Sequence, residues 1–183
     1  MKHIEYEERV MIKENDYLKV IEDIKLEGKP LHRFLIENIY LDNKESFIYS
    51  NKMMLRIRII NNQEKELTLK IKNPDNSTVE INETVERHHE IDKRLPGALS
   101  DYKEIARLIT NRIEVQYKDY LFVIDKNTYH GVIDYDLEVE TTNQQKAIDI
   151  IKQYCEKYNL QYDPHYRSKS HRAISLIKNK KKR

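Results

Sequence analysis

Three short runs of this chain alternate apolar and charged residues, and in each run the charges are sorted by sign. In LRIRI, Leu55, Ile57 and Ile59 point to one side of a strand while Arg56 and Arg58 point to the other. In LTLKIK, Leu67, Leu69 and Ile71 oppose Thr68, Lys70 and Lys72, and in DYDLEVE, Tyr135, Leu137 and Val139 oppose Asp136, Glu138 and Glu140. HIEYEER adds Glu5, Glu7 and Arg9 on one face. The wet face of an ordinary half-exposed sheet mixes Lys, Glu, Thr and Ser. Any single like-charged pair is most simply a solvated strand face, but four such pairs in one sheet weaken that explanation.

The alternation predicts about eight strands: His3 to Ile12, Arg33 to Leu41, Met53 to Ile60, Lys65 to Asn73, Ser77 to Val85, Ile109 to Tyr117, Tyr120 to Asn127 and Val132 to Glu140. Asn61-Asn62, Pro74-Asp75-Asn76, Lys118-Asp119 and His130-Gly131 supply the turns. Asn15 and Asp16 offer caps for a helix carrying Leu18, Ile21 and Ile24, which Gly28 and Pro30 end. The stretch from Asp42 to Lys52 reads as irregular, and Glu86 to Leu95 and Ser100 to Leu108 as charged helices. Gln144 to Tyr158 carries Ala147, Ile148, Ile151, Tyr154 and Cys155 on one helical stripe, and Ser170 to Lys178 forms a second, shorter helix after the Asp163-Pro164 break.

Closing such a sheet with its charged faces inward gives a polar lumen and an apolar exterior for the helices to cover, the reverse of a small filled barrel. The expected fold is therefore α+β, a single antiparallel eight-stranded β-barrel in one domain over residues 1–183. Residues two apart on a strand lie roughly 6.5–7 Å apart, so a Glu-x-Glu pair can flank one hard cation; oxygen donors suit Mg²⁺ or Mn²⁺. Facing carboxylates repel unless a cation or neighbouring Arg and Lys groups compensate. A polyphosphate carrying its metal matches both the acidic and the basic sets.

The net charge is only +2, from 33 Lys and Arg against 31 Asp and Glu, so nothing in the balance demands a nucleic-acid or membrane partner. The single cysteine, Cys155, excludes an internal disulfide and suits a reducing cytoplasm. No stretch approaches the roughly 20 apolar residues of a membrane helix. With three glycines in the chain and no Gly-x-x-x-x-Gly-Lys-Ser/Thr loop, side chains rather than a backbone cradle must bind phosphate. His88-His89 has no further ligand at zinc spacing, the KNKKKR tail reads as a solvated run, and Tyr117, Tyr120, Tyr135 and Tyr154 fall on packing faces.

Together these residues resemble the CYTH superfamily, the triphosphate tunnel metalloenzymes that include class IV adenylate cyclases, thiamine triphosphatases and inorganic triphosphatases. Its Glu-x-Glu-x-Lys signature is met by Glu5-Tyr6-Glu7-Glu8-Arg9, and the order of later basic and acidic strands also fits, ending in LEVE and SKSHR. The resemblance implies that Glu5, Glu7, Glu138 and Glu140 hold metal. It implies that Arg56, Arg58, Lys70, Lys72 and Arg112 hold phosphate oxygens, with Lys169 and Arg172 as C-terminal phosphate contacts. The departure is Arg9 in place of lysine: arginine still binds phosphate but cannot give up its proton. Asp125 and Glu80 are second-tier metal or water-positioning candidates, and Glu114 shares the inward face.

The expected activity is metal-dependent hydrolysis of a triphosphate-containing small molecule, inorganic or organic, with Glu138 or Glu140 orienting the water and Arg9 assisting at the reacting group. The alternatives are a class IV-type cyclase, which needs a purine and ribose pocket to aim the 3′ oxygen at the α-phosphorus, a binding module without turnover, and an RNA-binding barrel using the basic face. The last two leave the Glu-x-Glu pairs less explained.

Overall fold

The computed structural model describes residues 2–74, 77–163 and 165–180, with side chains outside 2–5, 64 and 178–180. The expected turn residues Asp75 and Asn76, the expected break at Pro164, the Glu5 side chain and the basic side chains of the tail lie outside the described set. Eight strands occur among the described residues: β1 Lys2–Ile12, β2 His32–Asp42, β3 Met53–Ile60, β4 Glu64–Lys72, β5 Thr78–Thr84, β6 Lys103–Gln116, β7 Leu121–Tyr129 and β8 Val132–Thr141. The helices are α1 Glu14–Leu26, α2 Phe47–Ser50, α3 His89–Asp92, α4 Gln144–Tyr158 and α5 Lys169–Lys180. Hydrogen bonding joins the strands in the order β1-β5-β4-β3-β2-β6-β7-β8, and β8 pairs back onto β1, so the expected closed antiparallel barrel is present.

Two compact units share these strands. The first, residues 36–109 with 1–4 and 167–183, holds the meander in which β2 pairs β3, β3 pairs β4 and β4 pairs β5. The β3–β4 connection uses Asn61 and Asn62, both in the left-handed region, where asparagine is better tolerated than most residues. The apolar face of this sheet packs Leu41, Leu55, Leu67, Leu69 and Ile81 with Ile48 of α2 and Ile91 of α3. The second unit, residues 5–35 and 110–166, pairs β1 with β8 and β8 with β7. His130 and Gly131 both take positive φ in the two-residue β7–β8 turn, which matches the right-handed strand twist. Its core joins Val10, Ile12, Ile113, Phe122, Leu137 and Val139 to Val20, Ile21 and Ile24 of α1 and to Ala147, Ile151 and Cys155 of α4. In both units the helices cover the apolar face, as the inverted patterning requires.

Several local expectations are corrected. The stretch from Ser100 to Leu108 is not a helix: Leu99–Asp101 makes one 3₁₀ turn and Lys103 already opens β6. Glu104 and Arg107, an ion pair three apart, give the segment its helical look, but the burial alternates, with Ala106, Leu108 and Thr110 buried between exposed Arg107 and Ile109. Only His89–Asp92 of the segment from Glu86 to Leu95 is helical, because Ile91 is its one apolar anchor and the Glu83 carboxylate accepts from the Glu90 and Ile91 amides. The region from Asp42 to Lys52 contains the short α2, whose amides at Phe47, Ile48 and Tyr49 bond the side chains of Asn43 and Asp42. Helix α1 starts earlier than Asn15, its N-cap being Lys13, and Leu18 is 54% exposed, leaving Val20, Ile21 and Ile24 to make the buried stripe.

Candidate functional site: a cationic and a carboxylate constellation

In the first unit the cross-strand register brings the basic side chains of β3 and β4 onto one polar face. Arg56 lies opposite Tyr40 on β2 and Thr68 on β4; Arg58 lies opposite Asn38 and Glu66; Lys70 lies opposite Glu80 and Lys72 opposite Thr78. Arg56 is only 6% exposed, yet its Nε and Nη2 have no hydrogen-bond partner, and Glu80 stands 3.9 Å from Nη2. Arg58 Nε donates to Asn38 Oδ1 at 3.4 Å. Lys72, at the end of β4, is exposed.

Glu80 sits among these cations. Lys70 Nζ is 2.6 Å from its Oε2 and Asn82 Nδ2 donates to its Oε1 at 3.0 Å. Burial alone would raise its pKa, but Lys70 and Arg56 outweigh that and hold it at about 2. Lys169 and Arg172 occupy the first turn of α5, where Arg172 Nη1 donates to the Arg167 carbonyl at 2.9 Å. Both act electrostatically on Tyr40, as do Arg56 and Arg58, so strand and helix cations converge on one neighbourhood.

In the second unit Arg112 of β6 is the hub of a carboxylate cluster. Its Nε and Nη2 grip Asp125 bidentately at 3.0 and 2.9 Å, and Nη2 also donates to Glu138 at 3.2 Å. Glu114 and Glu140 each lie 3.6 Å from Nη1. Burial would lower the Arg112 pKa, but Asp125, Glu140 and Glu138 together drive it well above its usual value, so the guanidinium is permanently charged. Arg9 is ion-paired with Glu7 and reaches Glu138 Oε1 at 3.0 Å. Register sets Glu7 directly opposite Glu140, both with side chains 20% exposed, whereas Asp125 and Glu138 are almost wholly enclosed.

Farther along the same face Thr110 donates to Asn127, whose amide nitrogen donates to Asp134 at 3.0 Å and Asp136 at 2.7 Å. Of this network the sequence placed only Asp136 on the charged face; Thr110, Asn127 and Asp134, like Asn38, Tyr40 and Asn82 in the first unit, were not singled out. For Thr110, Asn127, Asp134 and Asn82 the signal was parity with Arg112, Asp125, Asp136 and Glu80 on the same strands, whereas Asn38 and Tyr40 are tied to Arg58 and Arg56 only by the register between strands. A cavity of about 190 Å³ is lined by Tyr17, Arg33, Phe34, Leu35, Asn111, Arg112 and Ile113, so it touches the hub of the cluster together with strand neighbours of the opposite parity.

Among the described residues no three His, Cys, Asp or Glu side chains are grouped as a ready metal site. The donor set nevertheless suits a hard divalent cation, being carboxylate throughout, and its most accessible members are the opposed Glu7 and Glu140. His88 Nδ1 instead lies 2.8 Å from Asp92 within the first unit. Cys155, Tyr117, Tyr120, Tyr135 and Tyr154 pack in or against the second core.

The CYTH domain family model matches residues 3–168. A candidate adenylate cyclase from Bacillus halodurans superposes with a TM-score of 0.74 at 21% identity, over 93% of this chain and 97% of that one. The Hippeastrum candidate adenylyl cyclase HpAC1, described as having a dominant triphosphatase activity, gives 0.69 at 17% identity, over 98% and 96%. The PH1012 protein of Pyrococcus horikoshii gives 0.63 at 20% identity, over 94% and 99%. No curated protein matches the sequence.

Proposed function

The chain belongs to the CYTH domain family, and from that premise we propose that it is a divalent-metal-dependent triphosphatase, hydrolysing inorganic triphosphate or an organic triphosphate as one domain in the cytoplasm. The observation that carries the reading is Arg56: a buried guanidinium with two unpartnered donors, on a face shared with Arg58, Lys70 and Lys72. Unsatisfied buried donors are expensive, and a phosphate oxygen is the acceptor their charge and fork geometry select. Lys169 and Arg172 add charge to the same neighbourhood.

The carboxylate face supplies the metal ligands. Glu7 and Glu140, with Glu5 by family resemblance, are the side chains that would hold Mg²⁺ or Mn²⁺; Glu138, whose two oxygens face Arg9 and Arg112, would stand behind them. The bound cation would offset negative charge on the phosphate oxygens. Asp125 is a poorer ligand candidate because Arg112 already occupies both its oxygens, and its role is to fix that guanidinium. Glu80 is likewise committed, to Lys70, and serves to orient the cationic face. Arg9 positions Glu7 and Glu138 and contributes charge without proton transfer. Glu138 or Glu140 orients the attacking water while the arginines and lysines neutralise charge as it grows on the leaving group.

The test incubates purified protein with inorganic triphosphate, ATP and thiamine triphosphate, with Mg²⁺ or Mn²⁺ and with chelator, and resolves the products. Metal-dependent phosphate release is the expected result. Cyclic AMP with pyrophosphate would replace hydrolysis by cyclisation, and no turnover of any substrate would leave a binding protein.

A further inference from the structure

The Tyr40 side chain is 3% exposed and shares the polar face of β2 with Asn38, directly opposite Arg56. No hydrogen bond joins its hydroxyl to a described residue. A tyrosine buried to that degree usually finds a partner for its O–H. The surroundings explain why no acceptor is at hand. The charges acting on the phenol are Arg56, Lys169, Arg58 and Arg172, all donors, and Asn38 Oδ1 already accepts from Arg58. Burial pushes the phenol above its ordinary pKa of 10 despite the opposing pull of those four cations, so it remains a neutral O–H group at physiological pH.

A hydroxyl donor set opposite Arg56, in the field of four cations and without an acceptor among the described residues, is suited to an anion's oxygen. We propose that Tyr40 is a substrate-binding residue, its hydroxyl donating a hydrogen bond to a non-bridging phosphate oxygen held beside Arg56. The inference rests on the triphosphate-binding part of the proposed function and not on turnover. It gives Tyr40 a task distinct from its charged neighbours. Arginines and lysines attract a polyphosphate over distance in a salt-sensitive way, whereas a neutral phenol acts only at contact and fixes one oxygen in direction. It also explains the retention of an O–H group where phenylalanine would fill the same space.

The test is calorimetric titration of inorganic triphosphate, without divalent metal, into wild-type protein, Tyr40→Phe and Arg56→Ala at two salt concentrations, alongside thermal unfolding without ligand. Tyr40→Phe is expected to bind roughly five- to tenfold more weakly, with an unchanged salt dependence and a melting temperature close to wild type, because the hydroxyl gives up no hydrogen bond to the protein. Arg56→Ala is expected to weaken binding and flatten the salt dependence. Wild-type affinity in Tyr40→Phe, or a lowered melting temperature with unchanged affinity, overturns the inference while leaving the proposed function standing. Failure of wild-type protein to bind triphosphate removes both; binding without hydrolysis removes the triphosphatase reading and leaves Tyr40 in place.

Discussion

Replacing Arg112 by methionine removes a charge while keeping most of the side-chain volume, so the loss reports electrostatics rather than a cavity. Arg112 is 9% exposed and bonds Asp125, which is wholly buried, through two contacts of 3.0 and 2.9 Å, and Glu138, 2% exposed, through a third at 3.2 Å. Breaking a buried ion pair from one side typically costs about 3–5 kcal/mol, because the remaining carboxylates keep their desolvation penalty. That is a large part of the roughly 5–15 kcal/mol available to a domain. The sign with pH is fixed. In the variant, burial without Arg112 raises the folded-state pKa of Asp125 above its unfolded value near 3.9, so the folded state binds the extra proton and the variant loses stability as pH rises through that interval. Urea denaturation in chelator at pH 7 and pH 5 should therefore show the full deficit at pH 7 and a smaller one at pH 5, by up to about 1.4 kcal/mol per unit of separation. Arg112→Lys, which keeps charge but not the fork, should fall between. A deficit under about 1 kcal/mol, or one equal at both pH values, would refute the account of Arg112 as the neutralising hub.

Three further outcomes follow from the same geometry. Glu7→Gln with Glu140→Gln should abolish metal-stimulated turnover while triphosphate binding without metal survives, which calorimetry and phosphate release separate. Glu80, held at about 2 against an ordinary 4.5, contributes stability that is complete above about pH 4.5 and lost as pH falls towards 2; acid unfolding of Glu80→Gln should lack that component, of the order of 2–3 kcal/mol. Phe122→Ala removes a wholly buried ring stacked 4.0 Å from Tyr154, and chemical denaturation should register a loss of about 3–5 kcal/mol.

The strands were legible because side-chain sorting is strictly two-periodic: Arg56 with Arg58, Lys70 with Lys72 and Glu138 with Glu140 each declare a face within five residues. The segment from Lys103 to Leu108 was not, because Ala106 is too small to mark a face and the Glu104–Arg107 spacing imitates a helix. Partnerships were harder still. That Arg112 grips Asp125, or that Tyr40 stands opposite Arg56, depends on register between strands, which no single strand encodes. The family resemblance proposed ligands by position; what it could not supply was that Asp125 and Glu80 are each already paired with a cation.

The pairing of β1 with β8 sets Tyr6 against Thr141. A ribosome must therefore deliver more than 130 further residues before the first strand meets that partner, and contacts of such long sequence separation make folding slow. Until then the β8-facing edge of β1 is without its strand, which exposes nascent chains and C-terminal truncations ending before Val132 to association through that edge.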